Sequence, residues 1–357
     1  MSYSTATRAR AAIERLAQAT VSGIEFQWSA VDELRRIVDF GSMCWTYVDP
    51  ATWLPSWCIS DNLVVGRHQR SLHQSWPAAR DLTALAERGF TATSASSDGD
   101  LGRDRYWSEI AGPAGLGDSL SLALTADGAC WGMLHLYRER SDPHFTAEDV
   151  FAARQTVPVL ARRLRRAALE PAGGPPSGDE LGTIVIDRDR HLVASTPAAD
   201  RWLSRLPQPV PGGDPLPGFL YALVERITPG DLERVTPARR SPRLRIRATD
   251  GTWLVLRATA LSQSPALGHG AVAVTIEPAR RDDLQHLIMR AHQLSDRERE
   301  VAALVVNGLA NREIADALFI TRYTVADHLK TIYGKIGVSS RGALAVALSG
   351  TVGNPTP

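Results

Sequence analysis

The chain reads as an α+β multidomain protein, with two α/β regions followed by an all-α module of four short helices. Three observations predict this. A Pro/Gly-rich stretch from Glu170 to Asp179 (EPAGGPPSGD) supports neither helix nor strand and reads as a linker. The regions on either side of it mix helical periodicity with short β-branched or alternating runs. Beyond residue 294 only helical spacing remains. A length of 357 residues fits two or three domains. The expected parts are 1–169, a linker at 170–179, 180–278, a connecting helix at 279–293, and 294–350.

Composition narrows the function classes. Hydrophobic residues make up 44% and charged residues 22%, as in a globular protein with several cores. No run approaches the ~18 apolar residues of a membrane span, and Met1 to Ala12 lacks the apolar core of a signal peptide. No membrane partner is expected, and the expected compartment is the cytoplasm. Cys44, Cys58 and Cys130 show no CxxC spacing, so neither a disulfide framework nor a metal site is expected. The only lysines, Lys330 and Lys335, lie in the C-terminal module. That excludes a P-loop and a phosphoacceptor receiver domain, each of which needs a lysine elsewhere. No HExxH, GxSxG elbow or strand-borne GxGxxG is present, so neither an enzyme nor a cofactor is expected.

The first region opens with helical patterns at Ala12–Ala19 and Ala30–Phe40. A hairpin follows, Ser42–Val48 and Trp57–Ile59 around Asp49-Pro50-Ala51-Thr52. Leu120, Leu122 and Leu124 alternate with smaller residues, and after Asp127-Gly128 the run Cys130–Tyr137 makes a second hairpin. Thr146 is placed to cap a long amphipathic helix reaching Ala168, bent at Pro158. This order, with FTAEDV leading into the last helix, resembles a GAF domain, a small-molecule sensor fold.

The second region runs through strands Gly182–Asp187 and Leu192–Ala194 into a helix at Pro197–Leu203. It closes with Arg243–Ala248, a turn at Asp250-Gly251, Trp253–Leu261 and Ala271–Ile276. Two strands, a proline-initiated helix and three antiparallel strands resemble a degenerate PAS domain. It departs from that pattern at Arg190, where a turn glycine is usual, and at Leu206–Gly218, a long loop with five prolines in place of middle helices. His191, in a turn, reads as solvated rather than as a haem ligand. Leu284, Leu287, Ile288 and Ala291 then form one helical face, either a signalling or dimerising surface or a helix docked on its own domain.

In the C-terminal module Ser295-Asp-Arg-Glu298 is a capping box. Its helix buries Val301, Leu304 and Val305 and stops at Gly308. A second helix starts near Asn311, with Ile314, Ala315 and Leu318 inward. Thr321 caps a third, Arg322 to Lys335, whose inner face is Val325, Leu329 and Ile332. A fourth follows Ser339. A tight turn before the third helix is the helix-turn-helix pattern, whose second helix enters the major groove. The string LSDREREV…G…NREIA..L.IT..TV..HLK.IY.KIGV.SR closely resembles the LuxR-type helix-turn-helix family. The resemblance assigns Thr324, His328 and Lys335 to phosphate contacts or their support, and Arg341 to stability of the module. The outward face of the third helix holds Arg322, Tyr323, Ala326, Asp327 and Lys330. Lys330 is the candidate for a guanine or nearby phosphate, Asp327 for a cytosine amino group and Ala326 for a thymine methyl. Many family members carry lysine or glutamate where Ala326 stands. The resemblance implies double-stranded DNA, bound as an inverted repeat by a homodimer, with RNA polymerase a further partner the reading admits.

Seven of the nine tryptophans precede residue 132, Trp28, Trp53 and Trp76 among them, and each cysteine adjoins one. Trp45, Tyr47, Trp57, Trp107, Trp131 and His135 either line a pocket for a flat apolar ligand or fill the core of a sheet. A thiol-based redox or metal switch is a further option, although no spacing in the sequence places the cysteines within bonding reach. His135 and Tyr137 are expected on the strand face of Trp131 and Met133.

Overall fold

Helix-spaced apolar residues build the first layer of the N-terminal domain. In the computed structural model, helices α1 (Tyr3–Gln18) and α2 (Gly23–Arg35) bury Ile13, Phe26, Ala30, Val31 and Leu34. The residues described are 3–19, 23–61, 88–96, 107–113, 115–170, 180–206, 216–227, 242–261 and 270–348, with 85, 100 and 101. Trp76, residues 171–179 of the expected linker and 207–215 of the proline-rich loop lie outside them. Helix α2 ends at Arg35 rather than at Phe40, and turn residues carry the chain into the sheet.

The first sheet has the order β2-β1-β5-β4-β3. Its strands are β1 (Ser42–Val48), β2 (Pro55–Asp61), β3 (Phe90–Ala92), β4 (Leu116–Ala126) and β5 (Ala129–Glu139). A short helix α3 (Thr93–Ser96) and one π-helical turn (Trp107–Ala111) lie between β3 and β4. Both expected hairpins form, β1 with β2 and β4 with β5. Asp118, fully buried on β4, accepts from the N–H groups of Ser94, Ser119 and Phe145 and from the Ser94 hydroxyl, so its charge is met by four donors.

Two expectations need correction. Thr146 does cap a helix through a reciprocal box with Asp149, but the long helix is two: α4 (Ala147–Arg154) and α5 (Val157–Ala167). Pro158 has no N–H to extend the ladder, and the Thr156 hydroxyl takes the Ala153 carbonyl at 2.7 Å, so the rod breaks instead of bending. The second concerns β5. Leu124 pairs with Gly132 and Thr125 with Cys130, which leaves Trp131 as the extra residue of a bulge. The bulge reverses the alternation. Trp131 joins Leu134 and Leu136 in the helix-side core, whereas Met133, His135 and Tyr137 face the other way.

The second domain repeats the topology. Strands β6 (Gly182–Ile186), β7 (Leu192–Ser195), β8 (Arg243–Arg247), β9 (Trp253–Ala260) and β10 (Val272–Pro278) run in the order β7-β6-β10-β9-β8. Numbered from its own first strand, each sheet is 2-1-5-4-3. Helix α6 (Pro197–Ser204) starts as its sequence dictates: the Thr196 hydroxyl accepts from the Ala199 N–H at 3.3 Å, and Pro197 occupies the first turn. Arg190 adopts the left-handed conformation (φ 67°) that glycine takes without strain, and its guanidinium pairs with Glu225 at 2.8 Å. Helix α7 (Gly218–Glu225) directly follows the proline-rich segment and was not expected. Its FLYALV run is buried on every side, so it carries no amphipathic period to detect.

The two α/β domains are joined through charge and apolar contact. The Asp49 carboxylate, in the β1–β2 turn, meets Arg245 of β8 at 2.9 Å with both side chains almost fully buried. Arg245 Nε also donates to the Asp283 carbonyl, and Arg257 reaches the Asp283 carboxylate at 2.6 Å. Leu54 from the same turn sits in the second domain's core, and Trp57 touches both cores. Helix α8 (Arg281–Ala291) is docked, but its apolar face lies on the domains other than the one it follows. Leu284, Leu287 and Ala291 are buried in the first domain's core, Met289 enters the C-terminal core, and Ile288 packs against both.

Candidate nucleic-acid interface

Four helices make the C-terminal domain: α9 (Asp296–Val306), α10 (Asn311–Leu318), α11 (Arg322–Ile336) and α12 (Arg341–Leu348). Val301, Val305, Ile314, Ala315, Val325, Leu329, Ile332, Leu344 and Leu348 close its core. The start of α9 is the expected capping box. The Ser295 hydroxyl accepts from the Glu298 N–H at 3.3 Å, and the Glu298 carboxylate accepts from the Ser295 N–H at 2.6 Å. Glycine at φ 88° ends that region at Gly308. Phe319, in the left-handed region at φ 55°, turns the chain between α10 and α11 and is 95% exposed. The Thr321 hydroxyl accepts from the Thr324 N–H at 3.1 Å and caps α11, whose first turn holds no acidic residue. That helix start therefore keeps its positive end toward solvent.

The outward side of α11 is open. Arg322, Tyr323, Ala326, Asp327 and Lys330 are all exposed, Tyr323 by 85%, while Thr324 and His328 lie at the margin. Nothing in the described chain covers this face. The side chains of Arg322 and Lys330 make no hydrogen bond or ion pair among the described residues. The same holds for Arg312, exposed in the first turn of α10 and not singled out from sequence. Its signal was positional: in a helix-turn-helix the first helix crosses the phosphate backbone.

Lys335 behaves differently. Its ammonium donates to the Glu298 carboxylate at 2.7 Å and to the Gln293 carbonyl at 3.0 Å. Burial alone would raise the Glu298 pKa, but the Lys335 ammonium and the Ser295 N–H outweigh it and hold the carboxyl below its ordinary value. The charge of Lys335 is thus engaged in fixing the C-terminal end of α11 against the cap of α9. Arg341 ties α12 to the start of α10 through the Asn311 side chain at 3.0 Å and the Leu309 carbonyl. Arg297 and Arg299 are likewise engaged, with the Leu318 and Leu294 carbonyls. Of the module's seven lysines and arginines, three, Arg312, Arg322 and Lys330, remain to meet phosphate.

The aromatic set in front does not form one cluster. Trp45 packs edge-on to Phe26, Tyr47 stacks on Trp57 with centroids 4.9 Å apart, and Trp131 joins them on the helix side of the first sheet. Trp107 and His135 lie on the opposite side, so the six residues do not line one cavity. There the Ser121 hydroxyl and His135 Nδ1 are 2.8 Å apart, and burial pushes the His135 pKa down to about 4. Among the described residues, no three His, Cys, Asp or Glu side chains gather closely enough to hold a metal, and no helix is long and apolar enough to cross a membrane.

Residues 292–348 match the family described as GerE, bacterial regulatory proteins of the luxR family. The probable transcriptional regulatory protein SgaR of Hyphomicrobium methylovorum is 53% identical over 55 residues, which is 15% of this chain and 26% of that protein. The Fimbriae Z protein of Escherichia coli K12 is 47% identical over 47 residues, 13% and 22% of the two chains. The match thus spans about a quarter of the length of these curated relatives. The probable HTH-type transcriptional regulator GfsR of Streptomyces halstedii is similar over more, 27% identical over 199 residues, 56% of this chain and 72% of that one. The crystal structure of Escherichia coli SdiA aligns over 97% of each chain at 14% identity, with a TM-score of 0.32. Capping box, turn, open third helix and family match agree: residues 292–348 are a LuxR-type helix-turn-helix DNA-binding domain.

Proposed function

We propose that the chain is a one-component, sequence-specific transcription regulator, with residues 1–169 a GAF-like sensor domain and 180–278 a PAS-like domain. The observation that carries this reading is the open polar face of α11, where Arg322, Tyr323, Ala326, Asp327 and Lys330 stand clear of the other described residues. Thr324 and His328 flank it as phosphate contacts, and Lys335 acts as support. One module offers three unengaged cations, which gives modest phosphate attraction. A homodimer on an inverted repeat doubles that number and sets the half-site spacing.

The shared 2-1-5-4-3 strand order supports a sensor reading for both α/β domains. In the first, a small-molecule ligand belongs on the sheet side away from α1, α2 and α5, against Trp107, Ser121, His135 and Tyr137. Control of DNA binding then requires that the signal favour one arrangement of the domains over another. The test is selection: the purified full-length protein is mixed with random duplexes and the retained fragments are sequenced. A shared motif with dyad symmetry is the expected result, and a retained pool no different from the input rejects the reading.

A second reading keeps the DNA-binding domain and makes the front domains scaffold only. It is favoured by Trp45, Tyr47, Trp57 and Trp131, which serve the helix-side core. A thermal-shift screen with small metabolites and aromatic compounds separates the two, since only a sensor gains stability from a ligand.

A further inference from the structure

Strand register brings two of the three cysteines together. Cys44 pairs with Ser60 and Thr46 with Cys58 across the β1–β2 hairpin, so Cys44 and Cys58 are diagonal neighbours on one face of the sheet. Both are only half-buried, and each thiol perturbs the ionisation of the other. The Thr46 hydroxyl lies 3.4 Å from the Cys44 sulfur. Cys130 is set apart: it is buried on β5, its thiol donates to the Gly132 carbonyl at 3.3 Å, and burial raises its pKa to about 12.

From this juxtaposition we infer that Cys44 and Cys58 are a redox couple that closes to an intramolecular disulfide on exposure to a peroxide. The Thr46 hydroxyl beside its sulfur assigns Cys44 as the nucleophile, in keeping with a Cys44 pKa that the neighbouring Cys58 lowers against the opposing effect of burial. Its thiolate attacks one peroxide oxygen, the O–O bond breaks, and hydroxide leaves (alkoxide from an organic peroxide). Cys44 is then a sulfenic acid. The Cys58 thiol displaces the sulfenic oxygen, forming the S–S bond and releasing water. Two thiols are thereby oxidised by two electrons and one peroxide is reduced. A small dithiol reverses the step by thiol–disulfide exchange.

Geometry sets the character of the bond. Diagonal positions have Cα atoms ~7–8 Å apart, and a relaxed disulfide needs ~4.4–6.8 Å, so closure draws β1 and β2 together by roughly an ångström. A bond formed at that cost is easily reduced, which suits a reversible signal rather than a structural staple. The strain also has somewhere to go. The same hairpin carries Asp49 beneath Arg245 and Leu54 in the second domain's core, so oxidation is felt where the two domains join.

The test is direct on the full-length protein. After hydrogen peroxide and unfolding in N-ethylmaleimide, intact mass spectrometry is expected to show one maleimide adduct where the reduced protein shows three, with Cys44 and Cys58 recovered in one linked peptide. Dithiothreitol restores all three. Cys58→Ser is expected to leave a Cys44 sulfenic acid that dimedone traps, and Cys44→Ser to give no adduct at Cys58 at the same dose. Three adducts after peroxide, or a sulfinic acid at Cys44 with Cys58 still free, overturns the couple. These readouts involve no DNA, so they stand or fall apart from the regulator reading.

Discussion

Replacing Arg245 by methionine tests the joint between the two α/β domains. Arg245 is 2% exposed and Asp49 is fully buried. The guanidinium reaches both carboxylate oxygens, at 2.9 and 3.3 Å. Without it, Asp49 retains two backbone donors among the described residues, the N–H of residue 245 at 3.1 Å and that of Ala51 at 2.9 Å. The buried negative charge loses its paired guanidinium, and the partly exposed Arg243 is left as the neighbouring cation. Breaking a buried pair from one side costs ~3–5 kcal/mol. At ~2–4 °C per kcal/mol, that is a fall in Tm of roughly 6–20 °C. The assay is urea unfolding followed by tryptophan fluorescence, with the slope checked for constancy. Because the pair is buried, the loss is expected to change little between low and high salt. Adding Asp49→Asn to Arg245→Met removes the orphaned charge and keeps the Ala51 contact, so the double variant is expected to recover most of the stability. A loss below ~1 kcal/mol, the value of an exposed pair, with no recovery in the double variant, refutes the claim of a dry ionic joint.

Three further outcomes follow from the same physics. Arg312→Ala is expected to weaken DNA binding evenly across sequences and to reduce the slope of log K against log salt by ~1 per site, measured by titration at several salt concentrations. Gly182→Ala puts a Cβ 2.7 Å from the backbone of Ala199, which belongs to a helix and cannot step aside, and is expected to cost ~1–3 kcal/mol in urea unfolding. Burial holds His135 neutral down to about pH 4 in the fold, while in the unfolded chain it takes a proton near 6.5. The unfolded state therefore binds more protons between those values, and stability present above pH 6.5 falls as pH drops toward 4, by ~2–3 kcal/mol for this group. His135→Gln is expected to flatten that limb of the stability–pH curve.

Where local chemistry decides structure, the sequence was a sufficient guide. Ser295 with Glu298, Thr321 with Thr324, and Thr146 with Asp149 each satisfy their own helix starts, and all three form as read. Both hairpins of the first sheet are set by their turns for the same reason. What escaped depends on partners far along the chain. The bulge at Trp131 arises from pairing with a strand that also has to meet Gly132, and it moves Trp131 to the opposite face from His135. The engagement of Lys335 by Glu298 requires α9 and α11 to pack, and spacing alone cannot distinguish it from a cation facing solvent. Contact between Cys44 and Cys58 follows only once the hairpin register is fixed. The Asp49–Arg245 joint spans 196 residues and has no local trace at all.

The central claim, that the exposed side of α11 reads base edges, is tested most directly by footprinting the selected duplex with the wild type and with Lys330→Ala. The expected result is a loss of ~1–3 kcal/mol in specific affinity together with relaxed preference at one base pair of each half-site. An unchanged footprint, with affinity and base preference both intact, contradicts it.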